Sequence, residues 1–577
     1  MTIAVILLTF FSGLAPAGVI LFTERTITAV AGSLDSGELQ STAITSASLL
    51  IAITMAAFTL NIIDSYVQSL LQVKLSNKIN LDIVRKATSL ELQHFESSTT
   101  YDSLQRATSE AGSRPYQLFV DALRVLSGLT SLFSVSALLF AWNPWIAILL
   151  IVSCLPAFAA EIFYGRVTWK LEHDRAAKRR WASYLQFLTT NDRNVKEVKS
   201  FGLGRLLIQR VADIQRGFYD VDKSVEGRQA KVTALAGLLN VAVSGVAIII
   251  AVRSALEIGN VGQLAGTIAA VTAVQSGASG VFVGLGQLFE HKLFLGELFS
   301  FLDTPHDVIK SGTRSIPREL KSGITFENVS FTYPGTDKAV LSNISFTAAP
   351  GEVIAFVGRN GAGKSTISKL INRLYDPTSG RIMLDGHPLA EYDISQLRST
   401  VGVAFQDFVQ YESSVQENVT YGAVNYLDDR VVSAVALNRA GADFVDELPS
   451  GLETRLGRWF EDSHQLSGGQ WQRVAIARAL AGDSQIILLD EPTAAVDSET
   501  EALLFRRLRE VTQGAICFLI SHRFSTVRAA DKILVLENGN VVEMGDHRTL
   551  MNNGGHYASM FAIQAEGYQD VETNTRK

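Results

Sequence analysis

A glycine-rich run in the second half of the chain brings together residue types that can hold phosphate. It reads G-x-x-x-x-G-K-S-T and comprises Gly358, Arg359, Asn360, Gly361, Ala362, Gly363, Lys364, Ser365 and Thr366. Glycines let successive backbone N–H groups wrap phosphate oxygens, the lysine reaches the β- and γ-phosphates, and the serine hydroxyl coordinates Mg²⁺. A strand-like run at 353–357 precedes the motif and a helical pattern at 367–374 follows it, which is the required context. The run predicts a site for ATP and Mg²⁺.

An acidic pair follows another apolar run. The run Ile486–Leu489 ends in Asp490 and Glu491, and Asp490 comes 126 residues after Lys364. An Asp at the end of such a strand holds the Mg²⁺ shell, and the neighbouring Glu orients and polarises the attacking water. We therefore predict that Ser365 and Asp490 bind the metal and that Glu491 is the catalytic carboxylate.

A second glycine turn lies between these two motifs. Ser467, Gly468, Gly469 and Gln470 precede a helical pattern at 471–480. The N-terminus of a helix binds anions through its free N–H groups and its dipole. Because the first glycine run already provides one phosphate site, a second turn of this kind makes sense if it serves the ATP of a partner chain. The sequence thus predicts a dimer.

This second turn resembles the signature motif of the ABC ATPase family. The resemblance implies two nucleotide-binding domains that enclose two ATP molecules head to tail, with Ser467–Gln470 on the partner's nucleotide. It also implies roles for residues in the matching motifs: Tyr333 stacks on adenine, Asp497 lies across the dimer seam, and His522 contacts the γ-phosphate. Gln406 is a catalytic and Mg²⁺-binding residue that lies near the contact with the membrane domain. No ATPase motif is degenerate, which favours a homodimer with two working sites.

The composition adds a membrane component to these ATPase motifs. The 577 residues exceed the usual size of one domain, and 47% are hydrophobic while only 19% are charged. The net charge of −6 argues against a nucleic-acid partner. Cys154 and Cys517 lie far apart without metal-ligand spacing, so we expect neither a disulfide nor a zinc site.

Long uncharged runs in the first half predict six membrane spans. They cover 3–22, 43–63, 125–160, 232–252 and 258–289, and Asn143-Pro144 divides the third run into two spans. A span needs about 20 apolar residues. Met1-Thr2 supplies no basic region before the first run, so we predict a retained span and not a signal peptide. Asp64, Asp121 and Arg124 lie at span ends, which favours an interfacial position.

The distribution of basic residues predicts the orientation of the spans. Lys and Arg are frequent in 74–114 and 166–231, whereas the loop 31–41 has none. By the positive-inside rule the basic segments are cytosolic, and an even number of spans places both termini in the cytosol with ATP. We predict a multi-pass protein of a cell membrane, in a bacterium the cytoplasmic (inner) membrane, with the ATPase domain in the cytosol.

These patterns predict two domains. The fold class is an α-helical transmembrane domain at 1–305, with six spans and long cytosolic helical hairpins, joined to an α/β P-loop ABC nucleotide-binding domain at 323–565. A proline-containing polar stretch at 306–322 is the predicted linker, and 566–577 is a polar tail. The resemblance covers nearly the whole chain and matches the exporter fold. It implies coupling helices near Tyr101–Arg106 and Phe201-Gly202, the second docking on the partner.

The predicted function is ATP-driven export by alternating access. Drug and lipid exporters usually carry Thr-x-Val-Gly-Glu-x-Gly before the signature motif, but this chain has Thr454–Asp462 there. Together with Tyr101–Ala107 and Gln470-Trp471-Gln472, it resembles the branch that exports small modified peptides. With no peptidase domain before the first span, we expect a cargo that is already processed.

Other functions share most of these features. A lipid flippase or a multidrug or amphiphile exporter has every ATPase motif described above. A siderophore importer on the exporter fold is the weaker alternative, because it usually carries an extra domain before the first span. The glycines of the sixth span, Gly277, Gly280, Gly284 and Gly286, either line the transport path or permit close helix packing.

Overall fold

The computed structural model describes residues 2–36, 41–97, 104, 114–192, 194–305, 309–492 and 514–563. The chain forms two compact units. One consists of Met1–Ser89 and Ser98–Thr304, and the other of Leu90–Ser97 and Pro305–Lys577. The second unit therefore begins beside the predicted boundary, but it also includes an eight-residue segment, Leu90–Ser97, that the sequence assigned to the membrane domain.

The first unit is built from long helices. Within the described residues, six of them are long and apolar enough to cross a membrane, which confirms the predicted six spans. They are α1 (Thr2–Ser36), α2 (Ser41–Ser89), α4 (Arg114–Trp142), α5 (Pro144–Thr190), α7 (Gly204–Ile258) and α8 (Val261–Leu302). Among the described residues, two short helices lie between the spans: α3 (Leu92–Glu96), which belongs to the second unit, and α6 (Val195–Ser200).

The break between the third and fourth spans follows from two adjacent residues. Asn143 is extended, with φ −154° and ψ 102°, and its side chain accepts hydrogen bonds from the backbone N–H groups of Trp145 and Ile146. Pro144 occupies the first turn of α5, where a missing N–H costs nothing. This N-cap and proline divide a single apolar run into two spans.

Glycines allow α8 to approach its neighbours closely. A Cβ at Gly128 on α4 would lie 3.0 Å from the carbonyl oxygen of Gly277, and one at Gly284 would lie 2.6 Å from a methyl group of Val125. The core beside these contacts is fully buried and includes Val135, Leu139, Leu150, Ala247 and Val274. At Gly128 and Gly284 the small residue thus permits helix packing.

The second unit contains two β-sheets. The four-stranded sheet has the order β2-β1-β4-β5 and antiparallel pairing, and the six-stranded sheet has the order β10-β9-β3-β8-β7-β6 with parallel pairing from β9 to β6. The strands are β1 (Ile324–Thr332), β2 (Ala339–Ala348), β3 (Val353–Gly358), β4 (Ser379–Leu384), β5 (His387–Pro388), β6 (Val401–Ala404), β7 (Ile486–Asp490), β8 (Ile516–Ile520), β9 (Lys532–Glu537) and β10 (Asn540–Gly545). This is the predicted α/β nucleotide-binding fold.

Helices cover these sheets, and aromatic side chains join them. The described helices of this unit after α8 are α9 (Lys364–Ile371), α10 (Ile394–Thr400), α11 (Val415–Thr420), α12 (Arg430–Arg439), α13 (Gly468–Ala479), α14 (Phe524–Val527) and α15 (His547–Asn553). Within the four-stranded sheet Phe326 stacks on Phe346 with ring centroids 4.4 Å apart, and within the six-stranded sheet Phe356 stacks on Phe518 at 5.8 Å. Phe346 packs edge-on against Phe356 at 5.7 Å and so joins the two sheets. All four rings are buried, so the two sheets share one core.

Candidate functional site

The glycine-rich loop joins β3 to α9 as its sequence predicts. The backbone reverses at Gly361 and Gly363, whose φ angles of 81° and 100° suit glycine. At Gly358 a Cβ would lie 2.2 Å from the carbonyl oxygen of Leu536, so this position admits no side chain. The loop therefore exposes backbone N–H groups at the start of α9, where the helix dipole also favours an anion.

Lys364 is buried within this loop. Its Nζ donates hydrogen bonds to the carbonyl oxygens of Gly358 at 2.8 Å and Arg359 at 3.1 Å. Burial lowers the pKa of the ammonium, while Glu491 and Asp490 act in the opposite direction. A buried, extended lysine next to free backbone donors is suited to bind a polyphosphate.

The acidic pair lies at the end of β7, an interior strand that pairs with β8 and β6. Asp490 is buried, and its carboxylate accepts a hydrogen bond from the Ser365 side chain; burial raises its pKa, while Ser365 and Lys364 oppose that change. Hydroxyl and carboxylate oxygens are the hard ligands that Mg²⁺ prefers. The donor set at Asp490 and Ser365 therefore fits this metal.

Glu491 has an unusual backbone conformation, and two main-chain and two side-chain contacts hold the residue in place. Its φ is 49°, in the left-handed region, which non-glycine residues rarely adopt. Its N–H donates to the carbonyl of Ile520 at 2.8 Å, and its own carbonyl accepts from Gln472 Nε2 at 2.7 Å. The Oε2 atom accepts from Gln406 Nε2 at 2.9 Å, and Oε1 lies 3.2 Å from His522 Nε2.

These contacts bring together three predicted residues that are distant in sequence. Burial and the nearby Lys364 ammonium lower the pKa of His522, while Glu491 acts in the opposite direction. Gln406 and His522 contact the Glu491 carboxylate from two sides and position it. A carboxylate held in this way can orient and polarise a water molecule.

A cavity of about 570 Å³ lies over this arrangement. Nine of the predicted residues line it: Asn360, Gly361, Gly363, Lys364, Ser365, Thr366, Gln406, Glu491 and His522. Val340 and Ile520 also line the cavity, although the sequence gave no reason to select either apolar residue. The volume lies within the range of small-molecule and cofactor sites.

Tyr333, the residue predicted to stack on adenine, contacts the glycine-rich loop from the end of β1. Tyr333 follows the last residue of that strand, and its hydroxyl lies 3.2 Å from the Thr366 hydroxyl. Its ring packs edge-on against Tyr375 at 5.4 Å, and Lys369 Nζ lies 5.1 Å from its centroid. The aromatic ring thus stands beside the phosphate loop, where a base could stack on it.

The signature turn does not line the cavity of its own chain. Ser467 caps α13: its hydroxyl accepts from the Gln470 N–H at 3.3 Å, and the Gln470 side chain accepts from the Ser467 N–H at 2.8 Å. Ser467 and Gly468 are exposed to solvent. The predicted D-loop residue Asp497 lies outside the described residues.

One further contact joins the segment after Gln406 to the loop before the signature motif. The carboxylate of Glu412 accepts hydrogen bonds from the N–H groups of Arg458 at 2.9 Å and Trp459 at 3.3 Å. Gly457 has a φ of 110°, and a Cβ there would lie 1.7 Å from Glu412 Oε2. Sequence reasoning did not identify Glu412, and an acid in a polar loop gave no signal for it.

The short helix α3 is packed on the nucleotide-binding domain of its own chain. Glu96 forms an ion pair with Lys369 Nζ at 3.0 Å and accepts a hydrogen bond from the Tyr375 hydroxyl. Glu91 pairs with Arg398 at 3.1 Å, and Leu92 packs against the core between the sheets. Lys369 and Tyr375 are among the residues that contact Tyr333, so α3 contacts two side chains that in turn contact the candidate adenine-binding residue.

The first predicted coupling helix lies almost wholly outside the described residues. Of the segment 101–106 the structure describes only Leu104, so this helix stays a prediction; the residues packed on the nucleotide-binding domain are Leu92–Glu96. Burial and the adjacent Glu96 raise the pKa of Tyr375, so its hydroxyl stays protonated and donates. Near Phe201-Gly202 the chain forms α6 followed by a turn in which Gly202 has a φ of 65°.

Comparison with known proteins agrees with this architecture. The ABC transporter family model matches residues 341–494. The subtilin transport ATP-binding protein SpaT of Bacillus subtilis is 30% identical over 502 residues, which is 86% of this chain and 81% of that protein. An ATP-dependent lipid A-core flippase of Xanthomonas euvesicatoria pv. vesicatoria is 30% identical over 508 residues, 85% of this chain and 82% of that protein.

A solved structure matches the fold over almost its full length. The structure of a bacterial Atm1-family ABC exporter with ATP bound superposes with a TM-score of 0.79 and 25% identity, and the match covers 98% of each chain. The similarity to SpaT extends over both the membrane helices and the ATPase motifs. The chain therefore belongs to the ABC transporter family, as an ATPase coupled to transport with six membrane helices of the exporter fold and one ABC nucleotide-binding domain.

Proposed function

We propose that this protein exports a small processed or modified peptide, working as a homodimer in a bacterial cytoplasmic membrane with its ATPase domain in the cytosol. The observation that carries the cargo assignment is the similarity to SpaT, a transporter of the peptide subtilin, over 86% of the chain. Six candidate spans and the intact site around Glu491 supply the two parts that ATP-driven transport needs.

The loop before the signature motif supports this branch over others. Trp459 is 78% exposed, and Phe460 packs under Arg455 with the guanidinium carbon 3.5 Å from the ring centroid. Glu412 fixes the backbone between these aromatic residues and Gly457. An aromatic loop stands where, by the family resemblance, drug and lipid exporters usually carry the Val-Gly-Glu pattern.

In the proposed reaction each residue of the site has a separate task. Lys364 and the N–H groups of the glycine loop bind the phosphates, and Tyr333 holds the adenine. Ser365, Asp490 and Gln406 hold Mg²⁺, which neutralises charge on the transferred phosphoryl group when bound. Glu491 orients the attacking water and His522 contacts the γ-phosphate, while the Gln406 and His522 contacts keep the carboxylate of Glu491 in position.

The signature turn supports the dimer. Ser467 and Gly468 are exposed and lie outside the cavity that the glycine loop forms in the same chain. We infer that Ser467–Gln470 and Asp497 complete the site of a second copy. Because both half-sites are intact in one sequence, a homodimer has two working ATP sites.

Transport into inverted membrane vesicles tests this function. A panel of modified and cyclic peptides is offered outside the vesicles with ATP and Mg²⁺, and uptake is measured by mass spectrometry. We expect ATP-dependent accumulation of at least one peptide, and none with Glu491→Gln. Uptake of fluorescent lipid or drug probes without any peptide uptake would contradict the peptide assignment.

A lipid flippase is the second candidate function. The lipid A-core flippase matches this chain to the same identity and nearly the same extent as SpaT. ATP-driven lipid flipping in proteoliposomes, measured by chemical reduction of a labelled headgroup, distinguishes the two functions. Lipid movement that depends on ATP and on Glu491 would favour the flippase.

A further inference from the structure

The membrane domain contains an open cavity of about 660 Å³. It lies between α1, α2, α4 and α8, and most of its lining is small or carries a hydroxyl or amide group. Polar members of the lining are Ser12, Asn61, Ser127, Ser131, Thr272 and Ser276, and no lining residue is charged. A volume of this size accommodates a drug-sized molecule or a few peptide side chains.

Polar contacts between α1 and α2 continue from this cavity. Ser12 donates a hydrogen bond to Asn61 Oδ1 at 2.8 Å, and both residues line the cavity. One helical turn away on the same faces, Thr9 donates to Asp64 Oδ2 at 3.5 Å. Gln68 Nε2 donates to the same oxygen at 2.9 Å. Asp64 thus lies one helical turn from the cavity lining, toward the basic segment 74–114, and is not itself part of that lining.

The other oxygen of Asp64 has a different environment. Asp64 Oδ1 is buried and has no hydrogen-bond partner among the residues that the structure describes. The nearest basic residues along α1 and α2 are Arg25 and Lys74, and Lys74 is ten residues, about 15 Å of helix, from Asp64. A buried carboxylate oxygen without a donor is costly in a membrane, so a ligand that supplies a donor is favoured there.

A second aspartate of the membrane helices, Asp121, shows the contrast. The sequence favoured an interfacial position for Asp121, but this residue is buried, with Oδ1 2.7 Å from Arg124 and Oδ2 3.2 Å from His291 Nε2. Arg124 also donates to Gln287 at 2.6 Å. The protein therefore supplies basic partners for Asp121, and the guanidinium of Arg124 is engaged there.

We propose that Asp64 binds a cationic group of the cargo, an ammonium or a guanidinium, while the adjacent cavity holds the uncharged part. This inference rests on the proposed export function and specifies its substrate class. Asp64 Oδ2 is held by Thr9 and Gln68, which leaves Oδ1 as the acceptor for the cargo. A cationic donor there forms a charge-assisted hydrogen bond in a low-dielectric site.

Two matched pairs of probes test the preference for a cation. The first is an apolar peptide with one lysine and the same peptide with that lysine acetylated; the second is dodecylamine and its N-acetyl derivative. Binding to the full chain in lipid nanodiscs is measured by microscale thermophoresis. For the wild type we expect binding of the lysine peptide to be about tenfold tighter, or ~1.4 kcal/mol, than that of its acetylated form.

Variants at Asp64 separate charge from packing. Asp64→Asn keeps the size of the side chain and should bind both members of a pair equally, whereas Asp64→Glu keeps the charge and should retain the preference. Asp82→Asn is the matched control, because Asp82 lies on the same helix, is partly exposed and pairs with Arg85. It should retain the tenfold preference.

The outcomes distinguish this inference from the proposed function. Equal binding within both pairs, no binding of any probe, or an undiminished preference in Asp64→Asn would overturn the cation site. A preference seen only with the dodecylamine pair, with no peptide binding, would support the cation site and overturn peptide export.

Discussion

Replacing Glu491 with glutamine isolates the catalytic carboxylate from the structure that surrounds it. The backbone bonds of residue 491 to Ile520 and Gln472 are made by main-chain atoms, so they persist in the variant. The amide of glutamine still accepts from Gln406 through its oxygen, but it presents an NH₂ group in place of the second acceptor near His522. The fold and the cavity should therefore be unchanged, while the negative charge that polarises water is lost.

The expected magnitude follows from that single loss. General-base groups contribute roughly 10²–10⁴-fold to a rate, so we expect kcat for ATP hydrolysis to fall about 10³-fold, or ~4 kcal/mol in the barrier. Binding of ATP should stay within about threefold of the wild type, since the carboxylate acts mainly in the transition state.

The assay compares two readouts on the same preparation. Phosphate release in lipid nanodiscs gives kcat, and the fluorescence of a labelled ATP analogue gives the affinity. Glu537→Gln is the control, because Glu537 is a partly exposed carboxylate that does not line the cavity. It pairs with His556, whose Nδ1 lies 3.4 Å from its carboxylate. Turnover of Glu491→Gln at the wild-type rate, or a loss of affinity as large as the loss of rate, would refute the assigned role.

Three other substitutions test separate contacts. Lys364→Ala removes the ammonium beside the Gly358 and Arg359 carbonyls. It should weaken ATP binding by about 2 kcal/mol, roughly 30-fold. Unchanged affinity of the labelled ATP analogue would contradict a phosphate-binding role for this lysine. Glu96→Gln weakens the docking of α3 on Lys369 and should lower the amount of cargo moved per ATP hydrolysed, measured in proteoliposomes; a wild-type ratio would show that this contact transmits nothing. Gly457→Ala introduces a Cβ 1.7 Å from the Glu412 carboxylate. It should destabilise the protein by about 1–3 kcal/mol in thermal unfolding, and the double variant Gly457→Ala/Glu412→Ala should recover part of that stability. A wild-type Tm for the single variant would argue against the close contact.

Local motifs made much of the ATP site predictable. The residues of the phosphate loop are consecutive in sequence, and its glycines occur where the backbone requires glycine. Gly358 admits no Cβ, and Gly361 and Gly363 have positive φ. The acidic pair follows an apolar run because β7 is an interior strand, between β8 and β6, and all of its residues are buried. In each case the residues that cooperate are close in sequence, so spacing carries the information.

Contacts between distant segments were not predictable in this way. The Gln406 and Glu491 side chains meet across 85 residues, and only the resemblance to a family suggested that they share a site. Val340 and Ile520 line the cavity through strand positions that any apolar residue could occupy. The segment Leu90–Ser97 belongs to the second unit because Leu92 packs against the core of that unit. The hydrophobic periodicity of the sequence does not predict such a tertiary contact.

The pairing of α3 with the nucleotide-binding domain also limits how such proteins can be recombined. A chimera that joins this membrane domain to another ATPase at the linker would carry Glu91 and Glu96 into a surface selected for a different segment. It would lose the partners Arg398, Lys369 and Tyr375 together. The functional module of the ATPase is therefore discontinuous in the gene, and an exchange that preserves coupling must transfer residues 90–97 along with the C-terminal half.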